Sequence, residues 1–367
     1  MMSALQARIG VAISGGGFRA TAFGLGCLRA LHDTGLLDNT SVISGISGGS
    51  ILTALYAYGP QDFDAFDEAT TRLLRTGLQT AMVRRAFAPT AITRNLHAAG
   101  RTLLHTRPGH QPTRRTANRT DGLRDELADR AFGDRTVDQV THPNLATVIT
   151  ATDLRTSNAV RFGSLRSSCS VYGVILEPVT IADAVAASAA FPLLLPAIER
   201  SYTFTDPGTG QRQRQIVHLS DGGIYDNLGL SALEPRRSST HTPHVYELDY
   251  IITCDAGRGR LPLVAGHFAG TRLRRSFDTV HRRAQDAARA KLHDAAACGQ
   301  LQGFVHAYLG MPDHRMPIPV ADLVPVTSVR NYPTNFKAMT KTDLQLITTR
   351  AEQLTRTLLA YYCPNIL

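Results

Sequence analysis

The chain has 367 residues, of which 43% are hydrophobic and 19% are charged. So much apolar material in a chain of this length can bury a full core, which excludes disorder as the dominant state. The 39 Lys and Arg residues outnumber the 30 Asp and Glu residues and give a formal net charge of +9. The five scattered cysteines form no C-x-x-C pair, which excludes a disulfide scaffold or a cysteine zinc site.

The first 58 residues repeat a strand–turn–helix pattern. Residues 8–13 form an apolar run that ends in the sequence SGGG, and a helical pattern follows to about residue 36. A second apolar run at 41–46 ends in the sequence SGG, and a helical pattern resumes over 50–58. Two such units predict a parallel sheet of the α/β class.

Helical patterns dominate the segment from about 60 to 140, over 62–87 and 91–105, and several prolines interrupt them. Strand patterns then occupy 145–151, 171–176, 202–205, 215–219 and 250–254. Further helical patterns occupy 180–190, 268–298 and 342–361. We therefore predict a single α/β domain over 1–367, with a helical insertion at 60–140 and a mainly helical portion at 256–367.

The second glycine-rich turn, Gly45-Ile46-Ser47-Gly48-Gly49, satisfies the pattern G-x-S-x-G. A serine at a sharp strand-to-helix turn projects outward as a nucleophile, and small neighbours leave its approach open. The amide that follows and the helix N-terminus lie beside the negative charge that develops on a reacting carbonyl. The position between an apolar strand and an apolar helix favours a nucleophile over an ordinary glycine-serine loop.

The first glycine-rich turn offers the consecutive backbone N–H groups of Gly15, Gly16 and Gly17 at a helix start. Such a turn holds an oxyanion or a phosphate. A dinucleotide site is the rival interpretation, because GGGFRA begins like G-x-G-x-x-G and Asp38 lies about 20 residues further on. The rival pattern is incomplete, since Ala20 stands where its third glycine belongs.

A third turn, Asp221-Gly222-Gly223, follows the apolar run at 215–219. Three predicted strand ends thus supply a glycine turn, a serine and an aspartate, and ligands of open α/β sheets bind at strand carboxyl ends. A Ser-His-Asp hydrolase needs several strands before its serine and a histidine after its acid. Ser47 is preceded by only one strand–helix unit, and no later histidine lies in a recognisable loop motif, so a Ser47–Asp221 dyad is favoured.

The sequences GGGFR, GISGG and DGG, in this order, resemble the three signatures of the patatin-like phospholipases. The sequences ATDL at 151–154 and ASAAFP at 187–192 are similar to connecting motifs of that family, and together the motifs cover roughly 8 to 255. The resemblance implies a three-layer α/β/α fold that hydrolyses acyl esters without a metal or another cofactor. The departure from the family pattern is Ala20, where the family often has glycine.

The resemblance also implies residue roles. Ser47 would be the nucleophile, Asp221 the base, and Gly15 to Gly17 the oxyanion hole, while Arg19 and Gly48 would orient the turn or the substrate. The expected function is a lipid acyl hydrolase of the phospholipase A or lysophospholipase type, acting through an acyl-enzyme. The alternative is a non-catalytic α/β module that binds a nucleotide or a lipid through the turn at Gly15–Gly17.

The positive charge is concentrated in one segment. Residues 69–120 contain ten arginines and no Asp or Glu, so the rest of the chain is nearly neutral. Apolar residues recur at helical spacing within 91–105, and a basic amphipathic helix can lie on an anionic membrane. We predict that Arg84, Arg85, Arg94 and Arg101 bind such a surface. The alternative is a helix that packs on the sheet and exposes its basic face to solvent. Nucleic-acid binding ranks last, because no DNA- or RNA-binding module is recognisable.

The ends and the apolar runs of the chain bear on its location. The start, MMSALQARIG, does not have the charged and apolar regions of a secretory signal, and no stretch of roughly 20 residues is apolar enough to span a bilayer. The sequence therefore predicts a cytoplasmic protein that is soluble or peripheral at the membrane. The expected partner is a phospholipid or another lipid ester.

Overall fold

A computed structural model describes residues 7–87, 118–192, 194–259 and 269–367. The strands of these residues form one sheet: β1 (Ile9–Ile13), β2 (Thr40–Gly45), β3 (Ala146–Asp153), β4 (Asn158–Gly163), β5 (Ser168–Cys169), β6 (Gly173–Ile175), β7 (Ile198–Thr205), β8 (Arg212–Asp221), β9 (Tyr250–Asp255) and β10 (Gly303–Tyr308). Their order across the sheet is β10-β9-β1-β2-β3-β4-β5-β6-β7-β8.

The longer helices of the described residues are α1 (Phe18–Asp33), α2 (Gly48–Tyr58), α3 (Phe63–Thr76), α4 (Gln79–Ala86), α5 (Arg119–Leu127), α6 (Ile181–Ser188), α7 (Ala269–Ala297) and α8 (Lys341–Tyr362). A π-helical turn, Ala128–Phe132, continues α5. Short helices occupy Gly223–Asp226, Leu230–Ala232, Asp313–Arg315, Val326–Val329 and Pro364–Ile366. None of the helices in the described ranges combines the length and the apolar character needed to cross a bilayer.

Five neighbouring strands, β10, β9, β1, β2 and β3, run parallel. Strand β1 (IGVAI) is buried along its whole length, as a strand covered on both faces should be. The chain continues from β1 to β2 on one side, and β9 later takes the other side. The order therefore reverses at β1, and the carboxyl ends of strands at such a reversal form a crevice for ligands.

Helices cover both faces of this parallel half. Val11 of β1 packs in a core cluster with Phe23 of α1 and Leu354 of α8. Its neighbour Ala12 packs in a second cluster with Leu292 of α7. Because successive strand residues point to opposite faces, the two clusters lie on opposite sides of the sheet. The predicted three-layer α/β/α fold is confirmed.

The antiparallel half of the sheet, β4 to β8, brings the chain back to β3. Strand β2 pairs with the first part of β3, up to Gly45 opposite Ile149. Strand β8 pairs with the last part of β3, where Asp221 lies opposite Ala151. Because β4 occupies the other edge of β3, β2 and β8 share one edge. This arrangement places the end of β8 just beyond the end of β2, next to the turn that carries Ser47.

Some predicted elements differ from the structure. The helix predicted over 62–87 is divided into α3 and α4 at Gly77, which adopts φ 75° and is followed by Leu78, whose N–H donates to the Phe336 carbonyl over 2.9 Å. The strand predicted over 171–176 is only the three residues of β6. The pattern predicted over 91–105 lies outside the described residues. Strands β4, β5 and β10 and helix α5 were not predicted.

Two structural observations bear on the predicted division of the chain into segments. The described parts of the segment at 60–140 form α3, α4 and α5, in keeping with a helical insertion. The portion at 256–367 is helical except for β10, which adds a parallel strand to the edge of the sheet beside β9. Since β10 completes the same sheet, we retain the proposal of one domain over 1–367.

Candidate active site

Ser47 lies at a tight turn between the end of β2 and the start of α2. Its backbone has φ 53° and ψ −120°, a conformation that costs a non-glycine residue about 1–3 kcal/mol. The neighbouring backbone permits only glycine at position 48, because a Cβ atom there would lie 1.9 Å from the carbonyl oxygen of Gly17. The turn is therefore held against the first glycine-rich turn, and Ser47 is buried apart from 7% of its surface.

Hydrogen bonds hold the strained turn in place. The backbone N–H of Ser47 donates to Oγ of Ser188 over 2.9 Å. Its carbonyl accepts from Oγ of Ser50 over 2.6 Å. Ser188 ends α6, within the sequence ASAAFP that resembles a family motif. The resemblance was thus the available signal for Ser188, although nothing in its sequence indicated this contact.

Asp221 ends β8 with its side chain buried and facing Ser47. Its Oδ1 accepts a hydrogen bond from the N–H of Gly223 over 2.7 Å. Its backbone is fixed by Ala190, whose carbonyl accepts from the Asp221 N–H over 3.0 Å, and by Thr152, whose hydroxyl donates to the Asp221 carbonyl over 2.9 Å. The carboxyl group is thus positioned by its own strand, by β3 and by the end of α6.

The surroundings of Asp221 change its acidity. Burial raises the pKa of the carboxyl group to about 6, and hydrogen bonding from the side chain of Ser47 and from the N–H of Gly223 opposes that rise. Desolvation dominates because only 4% of the residue is exposed. A carboxylate with this pKa is a stronger base than an ordinary aspartate, whose pKa is about 3.9, and it is still ionised at neutral pH.

The first glycine-rich turn faces the Ser47 turn but does not offer all three predicted donors. The N–H of Gly15 donates to the carbonyl of Asn227 over 2.9 Å. The prediction that Gly15 supplies an oxyanion donor is revised for this reason. No acceptor in the described ranges takes the N–H groups of Gly16, Gly17 or Gly48, which remain available to a ligand.

Arg19 is buried behind the glycine-rich turn. Its Nε donates to the Ala256 carbonyl over 3.0 Å, and one terminal nitrogen donates to the Tyr332 carbonyl over 2.8 Å and to Oγ1 of Thr334 over 2.9 Å. Burial, followed by the charge of Arg258, lowers the pKa of the guanidinium to about 9. Of the two predicted roles, these bonds favour orientation of the turn over orientation of the substrate.

Asn227, which the sequence did not single out, joins the glycine-rich turn to the aspartate turn. Its carbonyl accepts the N–H of Gly15. Its Oδ1 lies so close to Gly15 and Gly223 that a Cβ atom on either would be 2.5 Å or 2.7 Å away. The adjacent Asp226 fixes the loop that follows by accepting the N–H groups of Leu228, Gly229 and Ser231.

Two cavities flank the short helix that follows Asp221. One of about 200 Å³ lies between this helix and α7 and is lined by residues that include Gly223, Tyr225 and His281. The other, of about 270 Å³, is lined by Thr152, Leu154, Ser157, Ile224 and Tyr225. Both cavities adjoin the short helix that follows Asp221, and neither lining includes Ser47 or Asp221 itself.

The remaining predicted groups are placed as follows. Across the described ranges, no cluster of His, Cys, Asp or Glu side chains is arranged to hold a metal ion, and no histidine forms a hydrogen bond with Ser47.

The arginines predicted to bind a membrane differ in their surroundings. Arg85 forms ion pairs with the buried Glu126 and, at 2.5 Å, with Asp129. Arg84 is exposed. Arg94 and Arg101 lie outside the described residues.

Comparison with known proteins gives a family match and a short stretch of sequence identity. A family model described as patatin-like phospholipase matches residues 11–233. A stretch of 43 residues, 12% of this chain and 7% of the relative, is 46% identical to the putative meiotic phospholipase of Saccharomyces cerevisiae.

Solved structures of a human enzyme share the fold. Human GIVD cytosolic phospholipase A2 is similar with a TM-score of 0.55 at 13% identity, over 96% of this chain and 61% of that one. Its complex with methyl gamma-linolenyl fluorophosphonate has a TM-score of 0.52 at 16% identity, over 96% of this chain and 57% of that one. At such identities the likeness concerns the fold alone, and this chain spans less than two thirds of those proteins.

The raised pKa of Asp221 predicts a gain in stability when its charge is removed. Between about pH 4 and about pH 6 the folded chain keeps a proton that the unfolded chain has lost, so the free energy of unfolding falls by about 3 kcal/mol as the pH rises through this window. Asp221→Asn removes that loss. We expect the free energy of unfolding of this variant to exceed that of the wild type by about 1–3 kcal/mol at pH 8 and to differ little from it at pH 4.

Denaturant unfolding at both pH values measures the effect. Asp206→Asn is the matched control, because Asp206 is an exposed turn residue whose hydrogen bonds with Thr209 and Gly208 lower its pKa. The control should show no gain at pH 8. A loss of stability in Asp221→Asn at pH 8 would contradict the burial argument.

Proposed function

The chain belongs to the patatin-like phospholipase family, and we propose that it hydrolyses the carboxylic esters of lipids with Ser47 as nucleophile and Asp221 as base. The observation that carries this assignment is the juxtaposition of a strained, crevice-facing serine and a buried carboxyl group whose pKa is raised to about 6. The glycine turn beside them supplies N–H donors for a developing oxyanion. The lipid substrate follows from the family.

The first half of the reaction forms an acyl-enzyme. Oγ of Ser47 attacks the carbonyl carbon of the ester while its proton passes to the carboxylate of Asp221. The carbonyl oxygen becomes an oxyanion, for which the N–H groups of Gly16, Gly17 and Gly48 are the available donors. Each such donor contributes about 3–4 kcal/mol to the transition state. When the bond to the alcohol breaks, Asp221 returns its proton to the leaving oxygen.

The second half releases the fatty acid. Asp221, again ionised, removes a proton from water, and the resulting hydroxide adds to the acyl carbon. The oxyanion forms at the same donors, and the bond to Ser47 breaks as its Oγ regains a proton from Asp221. The raised pKa supports both halves, since a base about two units stronger than ordinary aspartate lowers the free energy of proton transfer by about 3 kcal/mol.

The alternative of a nucleotide-binding module is disfavoured by two features of the fold. Asp38 precedes β2, so it lies at the opposite edge of the sheet from the turn that follows β1. The N–H of Phe18 at the start of α1, which would be a phosphate donor in a dinucleotide site, already donates to the Asn335 carbonyl over 2.9 Å. The same carbonyl oxygen packs against Gly17, where a Cβ atom would lie 2.6 Å away.

Substitution of the nucleophile tests the assignment. We expect Ser47→Ala to reduce p-nitrophenyl ester turnover at least about a thousandfold and to abolish labelling by a fluorophosphonate, because no other hydroxyl occupies the strained turn. Thermal unfolding should show an intact fold.

Ser170→Ala, which removes an exposed hydroxyl, serves as the control and should retain full activity. Turnover by Ser47→Ala at the wild-type rate would reject the nucleophile. Stabilisation of the wild type by NAD(P), together with no ester turnover, would instead support the nucleotide-binding alternative.

The proposal extends to an anionic membrane that presents the substrate. We expect Arg84→Gln, Arg94→Gln and Arg101→Gln together to weaken binding to anionic vesicles by about tenfold to a hundredfold, since each arginine near such a surface contributes about 1 kcal/mol. Turnover of soluble esters should change little, and vesicle co-sedimentation beside an ester assay measures both.

Arg85→Gln is the informative comparison, because this arginine is already paired with Glu126 and Asp129. It should lower stability more than vesicle binding. Equal losses of soluble-ester turnover and vesicle binding in the triple variant would show that the segment is structural.

A further inference from the structure

Helix α7 carries large apolar side chains on a face that is exposed among the described residues. Leu273 is 73% exposed, Phe277 39% and Val280 67%. Their spacing of four and three residues aligns them along one side of the helix, and the exposed Ala284 and Ala287 continue the line. These five residues are called the apolar stripe. Large apolar side chains aligned along one exposed helix face form a candidate interaction site.

The opposite side of α7 is polar and faces the protein. Arg289 donates to the fully buried Asp255 over 3.0 Å, and Gln285 and Asp278 are less exposed than the apolar stripe. Only the last part of the helix packs through apolar contacts, with Leu292 and Ala295 in a core cluster. An ordinary surface helix would turn its apolar side inward, so the fold of the described residues does not account for the apolar stripe.

The apolar stripe runs beside the candidate active site. The cavity of about 200 Å³ lies between α7 and the aspartate turn, and its lining includes Ala284, Ala287 and Gly223. The side chain of His281 lies against the backbone of Gly223, whose N–H holds the carboxyl group of Asp221. A surface that docks through the apolar stripe would therefore meet the protein next to the catalytic base.

Positive charge borders the apolar stripe. Arg272 and Arg283 are both exposed, and their separation of eleven residues, about three helical turns, places them along the same flank. Arg275 and Arg282 add to the charge of this half of the helix. Ion pairs found in the described ranges involve none of these four arginines. Within the described ranges, the charges of the exposed Arg272 and Arg283 are thus available to anions outside the protein.

We propose that the apolar stripe of α7 docks the protein onto an anionic lipid surface, with the apolar side chains inserted at the boundary between headgroups and acyl chains and the flanking arginines on the lipid phosphates. An amphipathic helix with basic flanks binds membranes in this orientation. The inference rests on the proposed function, because a lipid hydrolase must meet its substrate in such a surface.

The size of the apolar stripe favours a membrane over a second protein. From Leu273 to Ala287 it is about 21 Å long, and a single helix face is about 10 Å wide, which gives about 200 Å². A stable protein interface needs about 800 Å² on each partner. Insertion of a few side chains into a lipid boundary needs no such area, and two arginines add electrostatic attraction.

The test uses the full chain and vesicles of ether-linked lipids, which contain no ester bond to cleave. Co-sedimentation compares phosphatidylcholine vesicles with vesicles that also contain phosphatidylglycerol. We expect Leu273→Asp with Val280→Asp to weaken binding to the anionic vesicles at least about tenfold, since burial of each side chain is lost. Arg272→Gln with Arg283→Gln should weaken binding to the anionic vesicles about tenfold and leave the weak binding to neutral vesicles unchanged.

The matched control is Leu165→Asp with Arg166→Gln, in a turn where Leu165 is 72% exposed and Arg166 is also exposed. The control should bind like the wild type, and all variants should keep wild-type turnover of soluble p-nitrophenyl butyrate. Unchanged vesicle binding by the Leu273/Val280 variant, or an equal loss in the control, would overturn the proposal.

Two further outcomes separate this proposal from others. A wild-type dimer that the Leu273/Val280 variant converts to a monomer, without an effect on vesicles, would assign the apolar stripe to a second copy of the chain and overturn membrane docking. Vesicle binding that depends on the apolar stripe in a protein without ester turnover would instead reject the proposed hydrolase and leave the docking surface in place.

Discussion

The buried carboxyl group of Asp221 is the constraint on which the candidate site depends. Desolvation makes its charge costly, by about 3 kcal/mol at neutral pH, and the same desolvation makes it a useful base for a serine hydroxyl. The protein keeps the group in place through the return of β8 to β3, which puts Asp221 opposite Ala151 at the edge that β2 vacates after Gly45. The antiparallel half of the sheet thus has a direct chemical consequence.

The strained backbone of Ser47 is held in place by residues around the same site. Its turn is pressed against the turn of Gly17 so closely that only glycine fits at position 48, and Ser188 holds its N–H. Asn227 ties the glycine turn to the aspartate turn. The three turns therefore form one interlocked unit in which the donors, the nucleophile and the base are fixed before a substrate arrives, as electrostatic stabilisation of a transition state requires.

The parallel core could be predicted because its strands are continuous apolar runs that end in glycine-rich turns, and these turns carry Ser47 and Asp221. Strand β4 escaped prediction because Arg161 interrupts its pattern, and β10 because its sequence GFVHAY contains a histidine. The loss of Gly15 as a donor depends on the carbonyl of Asn227, which is 212 residues away, and no local pattern reports such a contact. Likewise, the outward direction of the apolar stripe depends on the polar contacts of the opposite face of α7.

The pH dependence of kcat/KM for a soluble ester tests the central claim most directly, because it reports the ionisation of the base in the free enzyme. The account predicts that kcat/KM rises with pH, about tenfold per unit below the pKa of Asp221, and levels off above about pH 6. A profile that is flat between pH 5 and pH 7, or a rise centred near pH 4 as for an exposed aspartate, would contradict the assignment of a desolvated Asp221 as the base.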